Sequence, residues 1–390
     1  MPDIKSYLGG TPKTLNEINM SVVLDRIRNG DNVSRSSLSR ELNLSFPTIS
    51  KIVDALIEKN YVVEVGPGKS SGGKRPIIVR FNNEYSYVIG IGVDVDFIDI
   101  MLADFSGNEV NTIYERFIKE KSPEEMIELV VQYINKITEE SGIDYEKVKA
   151  VSLGLPAMQD TETGVIRLCP TIPDWEGINL REILKNKLQM DVLIDNVANM
   201  SILGEVWKGV AKGYNNVILI GIGTGIGAGI LINGRLYRGA NGSAGEIGFL
   251  YIDKNMPYDG SKLFGQFEYL ASNSALKRIL KESGIQASQN LKDVIKNKNI
   301  KSSIFEIVDN FAYGVANLIS VLNPEIVVIR GELFYEEEPF FSYLKSKICT
   351  LIPFKTHLVK SFLREKDITL GAVNYALNYL DSKILSPFFQ

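Results

Sequence analysis

Residues 216–239 read NVILIGIGTGIGAGILINGRLYRG. A run of β-branched and aliphatic residues meets a glycine-rich turn, a second such run ends at Asn233-Gly234, and a short third run follows, so three strands joined by tight turns are expected. Residues 87–117 repeat the plan: YVIGIGVDVD, then FIDIMLADF, a turn at Ser106-Gly107-Asn108, and EVNTIYERF. Each unit is followed by helix signals. The first of them is Ser122-Pro123-Glu124-Glu125, a capping box with proline at the first helical position. Within the first half, VKAVSLGLP reads as a buried strand that leaves through a glycine-proline loop, and VLIDN as another that runs into a helix at Asn196. Two similar α/β halves predict a duplicated fold with a ligand cleft between them.

Working outward, 390 residues exceed what one hydrophobic core organises, so two or three folding units are expected. With 45% hydrophobic residues and a mean hydropathy near zero, the composition is that of a soluble globular protein. No apolar run is as long as a membrane span, and MPDIKSYLGGTPK lacks the apolar stretch that secretion needs. The expected location is the cytoplasm, with no membrane partner. Cys169 and Cys349 then read as reduced, buried thiols. The single histidine, His357, reads as a surface residue, and one imidazole with two distant cysteines cannot build a structural zinc site.

Charge divides unevenly along the chain. Up to Arg80 there are 12 basic and 8 acidic residues, a balance of +4, and the remainder carries −8. A basic head on an acidic body suits a nucleic-acid-binding module joined to a part that does not touch DNA.

That head reads as three helices and a hairpin. Thr14 and Glu17 stand at capping-box spacing before Leu15, Ile18, Val22 and Ile27, which predicts a first helix over 15–29. Ser34 caps a short second helix, Asn43 supplies a tight turn, and Ile49, Ile52, Val53, Leu56 and Ile57 form the buried face of a third. YVVEV, the loop GPGKSSGGKRP and IIVRF make a hairpin with a basic tip. The whole reads as a winged helix-turn-helix, with a small helical protein-interaction module as the alternative. Arg35, Ser45, Thr48, Ser50, Lys51, Lys74 and Arg75 are the candidate contacts to double-stranded DNA.

The segments SRSSLSRELNLSFPTISKIVDALIEKNYV, SSGGKRP, GIGTGIGAGILINGRLYRGANGSAGEIG and NLISVLNPEIVVIRGE together resemble the ROK family, in its NagC/XylR-type repressor branch. The resemblance implies an N-terminal winged helix-turn-helix at 1–81 and an actin-like, sugar-kinase body of two ribonuclease-H-like lobes. The first lobe would span 82–195, joined by a C-terminal helix at 371–390. The second, at 196–370, would bind effector and dimerise. A sugar effector, a homodimer or higher homo-oligomer and a palindromic operator are implied as well. The expected function is a sugar-responsive transcription regulator, a repressor of carbohydrate-utilisation genes.

Catalysis is expected to be lost. Kinases of the family carry their base in E-N-D-A-N, and this chain has Asp195-Asn196-Val197-Ala198-Asn199, with valine where the base should be. The first phosphate loop, D-x-G-G-T in those kinases, is Asp94-Val95-Asp96-Phe97-Ile98, which sets a charge and a ring where bare amides are needed. Arg330 replaces a glycine of the adenosine region. The family's zinc module is also altered: Phe249 follows Gly248, and YDGSKLFGQFE has no cysteine, so no metal or cofactor is expected and packing by Phe249, Phe264 and Phe267 is to hold the loop. The family's sugar contacts match Asn196, Glu246 and Glu268, with Asp174 and Trp175 on the substrate-side loop. Alternatively, Glu246 and Glu268 cap helices or pair with arginines and the cleft is vestigial. The competing functions are a sugar kinase with a DNA-binding head, and a regulator titrated by a protein instead of a sugar.

Overall fold

The computed structural model describes residues 12–30, 33–68, 75–94, 97–116, 122–160, 163–169, 173–254, 265–285, 298–336 and 338–385. In the head, α1 (Pro12–Arg28), α2 (Arg35–Leu42) and α3 (Phe46–Glu58) precede the hairpin of β2 (Val62–Pro67) and β3 (Ile77–Phe81). α1 already includes Thr14, so its backbone start lies before the expected cap. Ser34 closes a capping box with Ser37, and Asn43 takes the left-handed conformation, φ 52°, that the tight turn between α2 and α3 requires. Val33–Ser34 forms a further strand, β1, beside β3, giving the order β1-β3-β2. Two residues are too few to show an alternation in the sequence. Lys69 and Lys74, at the hairpin tip, lie outside the described residues.

The body is one pattern used twice. The first half runs β4 (Tyr87–Val93), β5 (Phe97–Asp104), β6 (Glu109–Arg116), α4 (Pro123–Glu140), β7 (Val148–Leu155), the ribbon β8 (Met158–Gln159) and β9 (Ile166–Leu168), α5 (Leu180–Leu188), β10 (Asp191–Asn196) and α6 (Val197–Lys208). The second runs β11 (Val217–Ile222), β12 (Ile226–Ile232), β13 (Arg235–Leu236), α7 (Gln266–Ala271), α8 (Asn273–Glu282), α9 (Lys298–Leu322), β14 (Ile326–Arg330), α10 (Glu332–Glu336), α11 (Glu338–Leu351), β15 (His357–Lys360) and α12 (Lys366–Leu385). The sheet orders correspond strand for strand, β10-β7-β4-β5-β6 and β15-β14-β11-β12-β13. In each, the early strands pair antiparallel and the later ones parallel. Thus the duplicated, two-lobed actin-like fold is present. Its C-terminal helix begins at Lys366, ahead of the expected residue 371.

Two helices join the lobes. α6 packs on β11 and β12, α12 packs on β4 and β7, and the two pack on each other. Their approach depends on glycine: a Cβ on Gly371 would lie 1.7 Å from the Met200 carbonyl oxygen, and one on Gly204 2.2 Å from that of Asp367. α9 explains a long apolar run. Contrary to the expectation that no run reaches a membrane span, residues 300–322 are long and apolar enough by composition to cross one, yet Ile304, Phe311, Val315 and Ile319 are buried in the core of the second lobe. Phe267 packs there too, its ring stacked 5.9 Å from Phe311, a burial worth about 1.5–3 kcal/mol.

Head and body share one core. Val23, Leu24, Ile27, Leu38 and Phe81 are continuous with Met101 and Phe105 of β5 and with Val373, Leu377, Leu380 and Ile384 of α12. Arg28 closes this junction. It donates two hydrogen bonds of 2.6 Å to the Asp381 carboxylate, and its guanidinium lies 4.4 Å from the Phe81 ring centre. Of the cysteines, Cys169 is buried, whereas Cys349 is exposed on α11, contrary to expectation. His357 is exposed as expected.

Candidate functional site

A cleft of about 360 Å³ opens between the two sheets, within the size range of small-molecule sites. Its floor on the first lobe is the end of β10 and the first turn of α6. There Asp195 is fully engaged: Oδ1 accepts from the Asn196 N–H at 2.8 Å and from Asn199 Nδ2 at 2.7 Å, and Oδ2 accepts from Arg238 Nε at 2.8 Å. A carboxylate so occupied is poorly placed to take a proton from a substrate. Asn196 caps α6, its Oδ1 accepting from the Ala198 N–H at 2.8 Å and its Nδ2 donating to the Ala157 carbonyl at 3.3 Å. Val197, in the same first turn, lines the cleft with Asn196.

The opposite wall carries two carboxylates. Glu246 follows Gly245, whose φ of 93° and lack of a side chain are both needed, since a Cβ there would lie 1.9 Å from the Ala228 carbonyl oxygen. Glu268 projects from α7 and accepts from the Ile226 N–H at 3.0 Å. Burial pushes Glu246 up to about 7, and the like charge of Glu268 adds to the effect. Glu268 is raised too, again by burial, with the Ile226 N–H opposing. Glu246 makes no side-chain cap to the turn that follows it, and among the described residues neither carboxylate pairs with an arginine.

At the far end stands Arg330, the last residue of β14. Its Nε lies 3.0 Å from a carboxylate oxygen of Asp367, the second residue of α12, so an ion pair ties the second lobe's sheet to the first lobe's helix beside the glycine-rich loop. Burial holds Asp367 up at about 6 against the pull of Arg330. Behind it, Glu205 of α6 is fully buried and accepts from Ser361 Oγ at 2.5 Å and from three backbone N–H groups.

Two expectations about the cleft are corrected. Asp174 is exposed on a single 3-10 turn outside it, while Trp175 beside it is buried in the first lobe's core. The Phe97 ring turns inward against Met200 and Ile368 instead of standing among the cleft residues; Asp96 lies outside the described residues. Of the three rings expected to replace the zinc module, Phe267 is buried, Phe249 is 37% exposed, and Phe264 lies outside the described residues. Conversely, Arg238, Tyr375 and Gln159 line the cleft without having been foreseen. Each comes from a segment remote from the others, and only the fold brings them together.

On the head, Arg35 is drawn out of the expected DNA surface. Its guanidinium donates to Glu64 at 2.8 Å and to Asp54 at 2.7 Å, tying α2 to α3 and β2. Ser45 and Thr48 cap α3 together, their hydroxyls 2.7 Å apart. Lys51 and Arg75 are exposed, and Ser50 is half-buried.

A profile of the ROK family matches residues 88–376. The chain belongs to the ROK family. It is 30% identical over 387 residues to the xylose repressor of Caldicellulosiruptor bescii, covering 93% of this chain and 96% of that protein. The xylose repressor of Bacillus subtilis is 30% identical over 342 residues, covering 86% and 88%. The glucokinase of Thermotoga maritima, 27% identical, aligns over 68% of this chain and 88% of its own length. Among solved structures, a ROK family transcriptional regulator, a homolog of the E. coli MLC protein, superposes with a TM-score of 0.79 at 20% identity over 96% of this chain and 99% of that one. The ROK hexokinase from Thermus thermophilus gives 0.66 at 24% identity over 76% and 99%. Regulators of the family thus align with nearly the whole chain, and its kinases with about the extent of the body.

Proposed function

We propose that this ROK protein is a cytoplasmic repressor of carbohydrate-utilisation genes that binds an aldose in its cleft, without phosphorylating it, and loosens its hold on DNA. The observation that carries this reading is the pair Glu246 and Glu268, two half-buried carboxylates facing a wall where Val197 stands and Asp195 is already bound. Carboxylates accepting from neighbouring hydroxyls hold a sugar through charge-assisted bonds, while Val197 stands where kinases of the family carry their base and Asp195 is taken up by Arg238. Arg330, paired with Asp367, adds bulk and an ion pair beside the loop where kinases of the family need open backbone. Relatives that align along most of the chain are named xylose repressors, so D-xylose is the first effector to try.

The division into a head at 1–81 and lobes at 82–195 and 196–370, with the C-terminal helix returned to the first lobe, belongs to this reading. So does a homodimer whose two heads grip a palindrome: closure of the lobes would shift the spacing that the operator fixes. The test is operator affinity at fixed salt with and without D-xylose and other aldoses. Weaker binding with one of them is expected, and indifference to all would overturn the sensing reading. A second reading, a sugar kinase, is favoured by the retained glycine-rich loop at 221–229 and by the match to the glucokinase. ADP release with any aldose would establish it.

A further inference from the structure

Helix α3 buries Ile49, Val53 and Leu56, and Phe46 falls three residues ahead of Ile49 on the same stripe. Periodicity alone would bury it. Instead Phe46 is 52% exposed, at the first position of the helix. A helical side chain leans back toward the N-terminus, so a residue in the first turn extends beyond the helix it belongs to, with no preceding turn to cover. The surroundings are held rather than loose. Ser45 accepts from the Thr48 N–H at 3.3 Å, its hydroxyl meets that of Thr48 at 2.7 Å, and Pro47 restricts the next backbone position. Ser50 lies one turn on, on the same side, with Lys51 next to it.

This is the end of a recognition helix that enters a major groove first. The groove offers one apolar group, the C5-methyl of thymine, and a phenyl ring is among the side chains that read it. We propose that Phe46 is a specificity-determining residue of the operator contact and packs against a thymine methyl. The inference rests on the DNA-binding reading of the head. It separates the labour of α3: Lys51 meets charge that every duplex has, whereas Phe46 meets a group that only some base pairs have. The apolar contact also gives the ring the cover that the described residues of the head do not provide.

The experiment uses the full chain. A duplex is enriched from a random pool at fixed salt, and each thymine in it is then replaced by deoxyuridine, which removes the methyl and nothing else. For the unaltered protein, one thymine, or a symmetry-related pair, should be sensitive, with about a fourfold loss of affinity for each methyl uncovered. For Phe46→Ala that position should become indifferent, while Phe46→Leu keeps part of the sensitivity. If every thymine tolerates deoxyuridine, or if Phe46→Ala loses as much as the unaltered protein at the same position, the inference is overturned. If the pool yields no enriched duplex, the DNA-binding reading falls and takes the inference with it.

Discussion

α6 and α12 hold equivalent places in the two halves of the body. Each leaves the last parallel strand of its sheet, and they cross where Gly204 and Gly371 let their backbones meet. They differ in reach. α6 has 12 residues and stops, whereas α12 has 20, an extension of about 12 Å that carries Leu380, Asp381 and Ile384 onto the DNA-binding head. Both begin beside the cleft, α6 with Val197 and α12 with Asp367 against Arg330, and α12 adds Tyr375 to the lining. The duplicated element has thus kept one job at its start and gained a second at its far end. A ligand that moves the crossing moves a helix that also bears on the head.

The largest expected effect comes from breaking the crossing itself. Gly371→Leu sets a side chain against the backbone of Met200, which cannot move aside as a flexible side chain would, so a loss of about 3 kcal/mol or more is expected in urea denaturation. Unchanged stability would mean that the helices do not meet this closely.

Asp381→Ala tests the long end of α12. Arg28 would lose both of its short bonds in a half-buried junction, at a cost of about 1–3 kcal/mol. The informative readout is the aldose response of operator binding, which should shrink while binding without sugar persists. A full response in a destabilised variant would show that the signal travels by another route.

At the cleft end the sign of the pH dependence follows from Glu246. Its folded value of about 7 lies above the ordinary 4.5, so its contribution to stability is complete below 4.5 and is lost as pH rises through 7. Sugar hydroxyls donate to the ionised form, and ligand affinity therefore rises over the same range. With about one molecule in ten ionised at pH 6 and about nine in ten at pH 8, calorimetry should find binding about tenfold tighter at the higher pH. Glu246→Gln should flatten the profile; a flat profile in the unaltered protein would remove Glu246 from the sugar contact.

The smallest effects sharpen the comparison within the head. Lys51→Ala should weaken binding to all duplexes alike and lower the salt slope by about one. Arg35→Ala, which breaks the bonds to Asp54 and Glu64, should lower the melting temperature and leave the salt slope unchanged. The reverse outcome would return Arg35 to the DNA surface.

Much of this was legible in the sequence because it is local. Strand-turn-strand patterns mark β4 to β6 and β11 to β13, Ser34 and Asn43 mark the ends of α2, and Val197 marks the altered base position. The same local reasoning points Arg35 at DNA, since a charge in a promising segment looks available until its partners are known, and the family resemblance points Asp174 at the cleft, which a motif match alone does not position. Phe46 shows the converse: its spacing predicts burial, and only its position before the first complete turn leaves it open.

By itself, then, the sequence determined the duplicated lobes, the winged head, and the presence of Asn196, Glu246 and Glu268. Tertiary structure alone decided that Arg238 would occupy Asp195, that Arg330 would pair with Asp367, and that the last helix would join cleft to head. The reason is physical. Periodicity and capping act over a few residues, where the chain can express them, whereas an ion pair between residues 37 or 43 positions apart exists only once packing has brought its partners together.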